Sequence, residues 1–415
     1  MRRLALFFTL LAATSLLNPR NGSLHLLFWV PKLLATALAP LLALANSLFA
    51  LLGWWRKDRW LAGVGALGTA VSLNHFLAIA SPHDVAMSDA FGPDWEARLP
   101  PDIVARFSAR RWRPLVYGEP KGVIWRNVNY GQNPDTAEPL CADLLLPSPS
   151  TTPSGLGIIF VHGGAWRFGR RNISKFPYFR QLAAQGHLVM DIDYTLNPNT
   201  SVPGMVMDVK RAIIWLKDHA AAYQINPERI VLIGQSAGGH LALLAAYTPN
   251  YLGLQPKDVQ GDSSVRAVVS YYGPPDMVAL HKGVEARFGS ILTEGVMERV
   301  NWLLTQAGED EVAHGIPGLV GGSLEEIPEM YRLISPITYV DGDCPPTLLL
   351  YGTHDVFVDH LAAERLHQAL SLAGVPVVYL PLSGCDHAFE AVLPRVSPAA
   401  QTAVYYMERF LALMV

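Results

Sequence analysis

The chain has 415 residues, half of them hydrophobic and only 16% charged, with a formal net charge of −3. That length accommodates a large α/β core plus a smaller unit, and the charge gives no basic field for nucleic acid. Three cysteines, Cys141, Cys344 and Cys385, exclude a disulfide framework and lack the spacing of a metal site.

The apolar excess is concentrated in the first 80 residues. Residues 4–17 follow Arg2 and Arg3 and are short for a membrane span. They read as a span extended by its flanks, an interfacial helix or a signal core. Residues 33–55 and 60–80 are each long enough to cross a bilayer. Between them lies the turn Arg56-Lys57-Asp58-Arg59, flanked by Trp54, Trp55 and Trp60, rings that favour the membrane interface. The expectation is a transmembrane anchor of two or three helices over residues 1–80, with the lipid bilayer as its partner. Placing the basic residues in the cytoplasm sends everything after Ser81 to the far side. Residues 81–121 carry the basic cluster Arg106, Arg110, Arg111 and Arg113, and are expected to form a solvated linker near lipid headgroups or a lid.

From residue 122 the pattern changes to short apolar runs alternating with helix-length segments. Strands are predicted at 122–129, 140–146, 156–161, 187–194, 229–233, 265–271, 346–351 and 375–380. In 205–222, Val209, Ile213, Leu216 and Ala220 share one helical face. Strands that read as continuous apolar runs are covered on both faces. Residues 122–415 are therefore predicted to form a doubly wound, mostly parallel α/β domain with its site at the C-terminal strand ends.

Four stretches carry chemistry. In RIVLIGQSAGG (229–239) an apolar strand turns sharply into a helix at Ser236, with Gly234 and Gly238 leaving room for the strained turn. The amide of Ala237 then sits at a helix N-terminus, suited to a developing negative charge. In IIFVHGGAW (158–166) a strand ends in His162-Gly163-Gly164-Ala165. The amides of Gly164 and Ala165 join that of Ala237 as oxyanion donors, and His162 is expected to bond to the loop backbone. TLLLYGTHD (347–355) presents Asp355 past a strand end, where it can accept from a histidine Nδ1–H; Asp359 is the alternative. In GCDHAF (384–389), His387 follows the last strand, within reach of Ser236 and Asp355. His354, His360 and His367 are expected in solvent. No histidine forms an HExxH or paired-ligand pattern, so no metal is assigned.

The order Ser236, Asp355, His387 is that of an α/β-hydrolase triad. With HGGAW, DYTLNP (193–198), GQSAGG, GTHD and DHAF in sequence, residues 122–415 resemble the hormone-sensitive-lipase-like and carboxylesterase branch of that superfamily. HGGAW and GQSAGG are also similar to isoprenylcysteine methylesterase-like members. The resemblance implies a serine esterase acting through an acyl-enzyme on a small-molecule ester, without a cofactor. One departure is Ala165, which stands where the family has a third oxyanion-loop glycine. It weakens the expectation of tertiary-alcohol ester activity. The insertion at 274–335, with Phe288, Met297 and Trp302, is expected to cap the pocket and select small, medium or lipophilic groups. A small-amide hydrolase and a non-enzymatic ligand-binding protein are the alternatives. The oligomeric state is not legible.

Overall fold

The structure is a computed structural model that describes residues 1–107, 111–113, 124–171, 177–289 and 315–415. All eight predicted strands form, as β1 (Ile124–Gln132), β2 (Pro139–Leu146), β3 (Gly157–Val161), β4 (Leu188–Ile192), β5 (Ile230–Gln235), β6 (Ala267–Tyr271), β7 (Thr347–Gly352) and β8 (Val377–Leu382). They make one sheet in the order β1-β2-β4-β3-β5-β6-β7-β8. β1 and β2 pair antiparallel, β2 meets β4 antiparallel, and every other pairing is parallel.

The central strands β3, β4, β5, β6 and β7 are buried at every position. Helices cover both faces, so no strand position can be polar without a partner, which is why these strands lack alternation. In register, Val161 lies beside Gly234 and Gly234 beside Ser270. Parallel pairing therefore brings the C-terminal ends of β3, β5, β6, β7 and β8 to one edge. The predicted helix over 205–222 starts earlier, at Val202, and ends at Asp218. Ser201 caps it by accepting from the Gly204 amide, and Pro203 in its first turn needs no donor partner.

The first 80 residues form four helices: α1 (Arg2–Ala13), α2 (Gly22–Ala37), α3 (Ala39–Trp55) and α4 (Arg59–Ala80). The run 33–55, expected as one span, is broken. α2 and α3 meet at Leu38 with a bend of 79°. Pro40, in the first turn of α3, supplies no amide to the preceding turn, and its ring excludes the carbonyl four residues back, so one helix does not run through it. By length and composition one helical segment, Arg59–Phe91, qualifies to cross a membrane, or two if the bent pair counts as one span.

These helices bury small and polar residues beside a few apolar ones such as Leu42, Leu61 and Ile79, and leave many leucines exposed. α4 turns Gly65, Gly68, Ser72 and His75 inward and leaves Leu67, Leu73 and Leu77 exposed. α3 buries Asn46 and Gly53 while exposing Leu41, Leu44, Leu48 and Leu51. The two backbones meet closely: a Cβ at Gly53 would lie 2.3 Å from the Ala62 nitrogen, and one at Gly65 2.5 Å from that of Ala50. Thr9 of α1 bridges them, donating to Val64 O or Asn46 Oδ1. Small residues and interhelical hydrogen bonds thus line the seam, and leucines lie on the outer faces. Arg2 pairs with Asp58 at 2.8 Å, which sets the chain's start beside the 56–59 turn.

The segment after α4 is bound to the α/β domain, in contrast to the expected solvated linker. Arg106 donates to the carbonyls of Gln185 and Thr152, and Arg111 pairs with Asp84, which also accepts from Tyr406. The indole of Trp112 donates to Val396 O, and the Arg113 amide to Gln401 Oε1. Guanidinium groups satisfy backbone carbonyls here instead of facing headgroups. Arg110 lies outside the described residues.

Candidate active site

β5 ends at Gln235, and Ser236 follows at φ +51°, capping the helix Ala237–Tyr247. The turn is this sharp because the backbone has nowhere else to go. A Cβ at Gly234 would sit 2.2 Å from Gly238 O, and one at Gly238 would sit 2.1 Å from Val161 O. Only glycine fits where the elbow crosses its own helix and β3.

Past β7, Asp355 is buried, and its Oδ1 accepts from the amides of Phe357 and Val358, both at 2.8 Å. Its Oδ2 faces His387 Nδ1 at 2.8 Å, and His387 Nε2 lies 3.0 Å from Ser236 Oγ. The structure thus brings together three residues that stand 119 and 32 positions apart in sequence. With Nδ1 donating to Asp355, Nε2 carries the lone pair that faces the serine. Burial alone would lower the basicity of His387, but Asp355, then Glu390 and Asp386, raise it above the ordinary histidine value. Asp359 takes no part; its carboxylate caps the next helix, accepting from the Leu361 amide. His354, His360 and His367, expected in solvent, are half-buried: His360 and His367 sit on the helix His360–Leu372, and His354 lies in the loop after β7, where its amide donates to Cys385 O.

The loop after β3 adopts left-handed backbone at Gly164, Ala165 and Trp166. Among the described residues the amides of Gly164 and Ala165 have no internal acceptor. The amide of Ala237 is in the first helical turn, which has no intrahelical partner. Gly163 packs against the elbow, where a Cβ would lie 3.0 Å from Gln235 O. The loop is held from several sides. His162 Nδ1 bonds Gly163 O, its ring stacks on Tyr194, and the Tyr194 hydroxyl donates to His162 O. Trp166 donates to His240 Nδ1, and His240 Nε2 donates to Ile334 O. Burial pushes His240 down to about 4, so it stays neutral and keeps that tautomer.

Sequence reasoning missed several residues around this centre. Arg287 donates to the carbonyl of Asp355, latching the acid loop from helical residues 277–289. Glu390, fully buried, accepts from Gln235 Nε2 at 2.7 Å and from the Tyr272 hydroxyl. The Tyr272 ring lies 4.4 Å from that of His387. Burial pushes Glu390 up to about 7. A folded-state value above the unfolded one means the stabilising contribution is complete below about 4.5 and is lost as pH rises through about 7, on the order of 3 kcal/mol. Glu390→Gln keeps the acceptor oxygen, so its melting temperature should fall less between pH 5 and pH 8 than that of the parent. Identical profiles in a thermal-melt series would refute this.

The other missed group is Asp386, whose Oδ1 accepts from the amides of Val356 and His387. Its Oδ2 meets Lys32 Nζ and His25 Nε2 of α2, each at 2.6 Å. Lys32 directly precedes an apolar run and His25 lies seven residues earlier, so nothing local signalled either. Of the cap residues, Phe288 packs beside Gly22 of α2; Met297 and Trp302 lie outside the described residues.

The BD-FAE family profile matches residues 142–370, more than half of the chain. "Esterase LipC" of Mycobacterium tuberculosis is 30% identical over 359 residues, covering 85% of this chain and 77% of LipC. "Probable carboxylic ester hydrolase LipM" of the same organism is 32% identical over 253 residues, 61% of this chain. The chain spans about half of LipM, at 53% of its length. Among solved structures, the native thermophilic esterase Est2 of Thermogutta terrifontis superimposes with a TM-score of 0.53 at 22% identity. The match covers 70% of this chain and 92% of Est2, a likeness of fold. The chain belongs to the BD-FAE family and stands, with its α/β-hydrolase sheet, among the carboxylic ester hydrolases.

Proposed function

We propose that the chain hydrolyses carboxylic esters with Ser236 as nucleophile, His387 as base and Asp355 as its orienting carboxylate. The observation that carries this reading is the continuous line from Asp355 Oδ2 through the His387 ring to Ser236 Oγ, with contacts of 2.8 and 3.0 Å. His387 Nε2 takes the serine proton as Oγ attacks the ester carbonyl. The tetrahedral oxyanion rests on the amides of Gly164, Ala165 and Ala237, each worth roughly 3 kcal/mol of barrier. The imidazolium, steadied by Asp355, protonates the departing alkoxide. Water then attacks the acyl-enzyme, passes a proton to His387, and releases the acid with the serine restored. No step calls for a cofactor.

Residues 274–335 act in this reading as the cap that selects the acyl or alcohol group. Supporting it, Arg287 and Phe288 stand beside the acid loop and α2, and Arg167 after the oxyanion loop donates to Gly315 O. The helices of residues 1–80 anchor the enzyme in a bilayer, with the α/β domain outside the cytoplasm. Their leucine-covered outer faces and small-residue seam support an anchor, and lipophilic esters are then the substrates at hand. Protease treatment of intact cells should digest the α/β domain; protection would overturn the orientation.

The reading is tested by rates on p-nitrophenyl esters from acetyl to palmitoyl, with a fluorophosphonate titrating the serine. Turnover proportional to titrated serine is expected, and the chain-length optimum reports the pocket depth. Labelling without turnover on any ester would shift the reading to an amide substrate. Absence of both would leave a ligand-binding role.

A further inference from the structure

α2 is built inside out. Leu24, Leu27 and Val30 face outward and are exposed, whereas His25 and Lys32, seven residues apart and so on one helical face, are fully buried against the α/β domain. Burying an ammonium group is unfavourable unless a counter-charge and hydrogen bonds await it. Both are supplied by one carboxylate. Lys32 Nζ donates to Asp386 Oδ2 at 2.6 Å, His25 Nε2 lies 2.6 Å from the same oxygen and 2.9 Å from Lys32 Nζ, and Lys32 also lies 3.5 Å from His354 O. The other oxygen of Asp386 accepts the amide of Val356, next to Asp355, at 2.9 Å, and that of His387 at 2.8 Å. One buried carboxylate therefore ties α2 to the two loops that carry the acid and the base.

A second contact repeats the arrangement. Trp29, between His25 and Lys32 on the same face, donates from its indole to His387 O at 3.2 Å. Its ring meets Phe357 edge-on at 5.4 Å, and Phe357 meets the His387 ring edge-on at 5.2 Å. Backbone amide, backbone carbonyl and imidazole face of His387 are thus all set by groups held from α2.

We propose that α2 is a positioning element of the active site: Lys32 and His25, acting through Asp386, and Trp29 directly, hold His387 and Asp355 in the geometry that reaches Ser236. The proposal rests on the triad reading above. Without Lys32, Asp386 would keep a negative charge in a buried site with one partner fewer. The carboxylate then turns toward water or His354, away from the amides of Val356 and His387, and the base moves off the serine. Misplacement of this kind lowers turnover while leaving the ester pocket intact.

The test uses the full chain in detergent micelles, with the serine titrated to completion by a fluorophosphonate, so that rates are per competent site. Lys32→Met should lower kcat on p-nitrophenyl butyrate about tenfold or more, with KM within about twofold. A merely structural lysine would reduce the number of titratable sites and leave kcat per site unchanged; that result overturns the proposal. Should Lys32→Met not accumulate as folded protein, Trp29→Phe is read in the same way. It removes the bond to His387 O and shortens the ring that meets Phe357, with an expected drop in kcat of about threefold or more. A per-site kcat equal to the parent's would count against the proposal there too. A parent chain in which no serine titrates would sink the triad reading, and this inference with it, a result distinct from either variant outcome.

Discussion

Ser236→Ala is expected to lower kcat on short-chain p-nitrophenyl esters by about 10⁶-fold, to the level supplied by the oxyanion donors and binding alone. The fold should survive. Alanine meets the same left-handed backbone as serine at φ +51°, and the only side-chain partner lost is His387 Nε2. Melting temperature and circular dichroism should match the parent, fluorophosphonate labelling should vanish, and hydrolysis persisting in the purified variant would refute the assignment.

Asp355→Asn should be almost as severe, about 10⁴-fold in kcat. The amide can keep accepting from Phe357 and Val358 through its oxygen, so the acid loop need not move. Its NH₂ group, however, replaces the oxygen that faces His387 Nδ1. A donor there forces the proton onto Nε2, and the ring can no longer take one from Ser236. The pH profile supplies an independent readout. With His387 as the proposed base, activity is lost as pH falls through its folded value, which Asp355 holds above the ordinary one. Removing that carboxylate lowers the value, so the residual activity should keep its acid limb to a lower pH. A limb shifted upward, or a loss of only a few-fold, would show that Asp355 does not hold this ring.

The sheet was legible because its signal is local. GIIFV, LVMDI and IVLIGQ are, Asp191 and Gln235 apart, apolar without alternation, and only burial on both faces rewards that pattern. The meeting of Ser236, Asp355 and His387 was legible for a related reason: Ser236 follows β5 directly, Asp355 and His387 lie in the loops after β7 and β8, and the topology gathers these strand ends at one edge. What escaped depends on contacts between distant segments. Lys32 and Asp386 are 354 positions apart, and Gln235 and Glu390 are 155. A lone lysine before an apolar stretch reads as a membrane flank until the facing carboxylate is seen. The break at Leu38 had a local cause in Pro40, outweighed by the apolarity of 33–55. The arginines at 106 and 111 were misplaced because a basic cluster carries no mark of the carbonyls or carboxylate it will meet.

The shared carboxylate at Asp386 also limits modularity. A leader helix of equal length and apolarity from another protein would bring no cation to residue 32 and no imidazole to residue 25. It would strand Asp386 in a dry site, a loss of about 3–5 kcal/mol for a buried pair deprived of one member. Such a chimera should melt at a lower temperature than the parent. Here α2 and the catalytic loops are one folded object, so the helix is under the same constraint as the loops it touches.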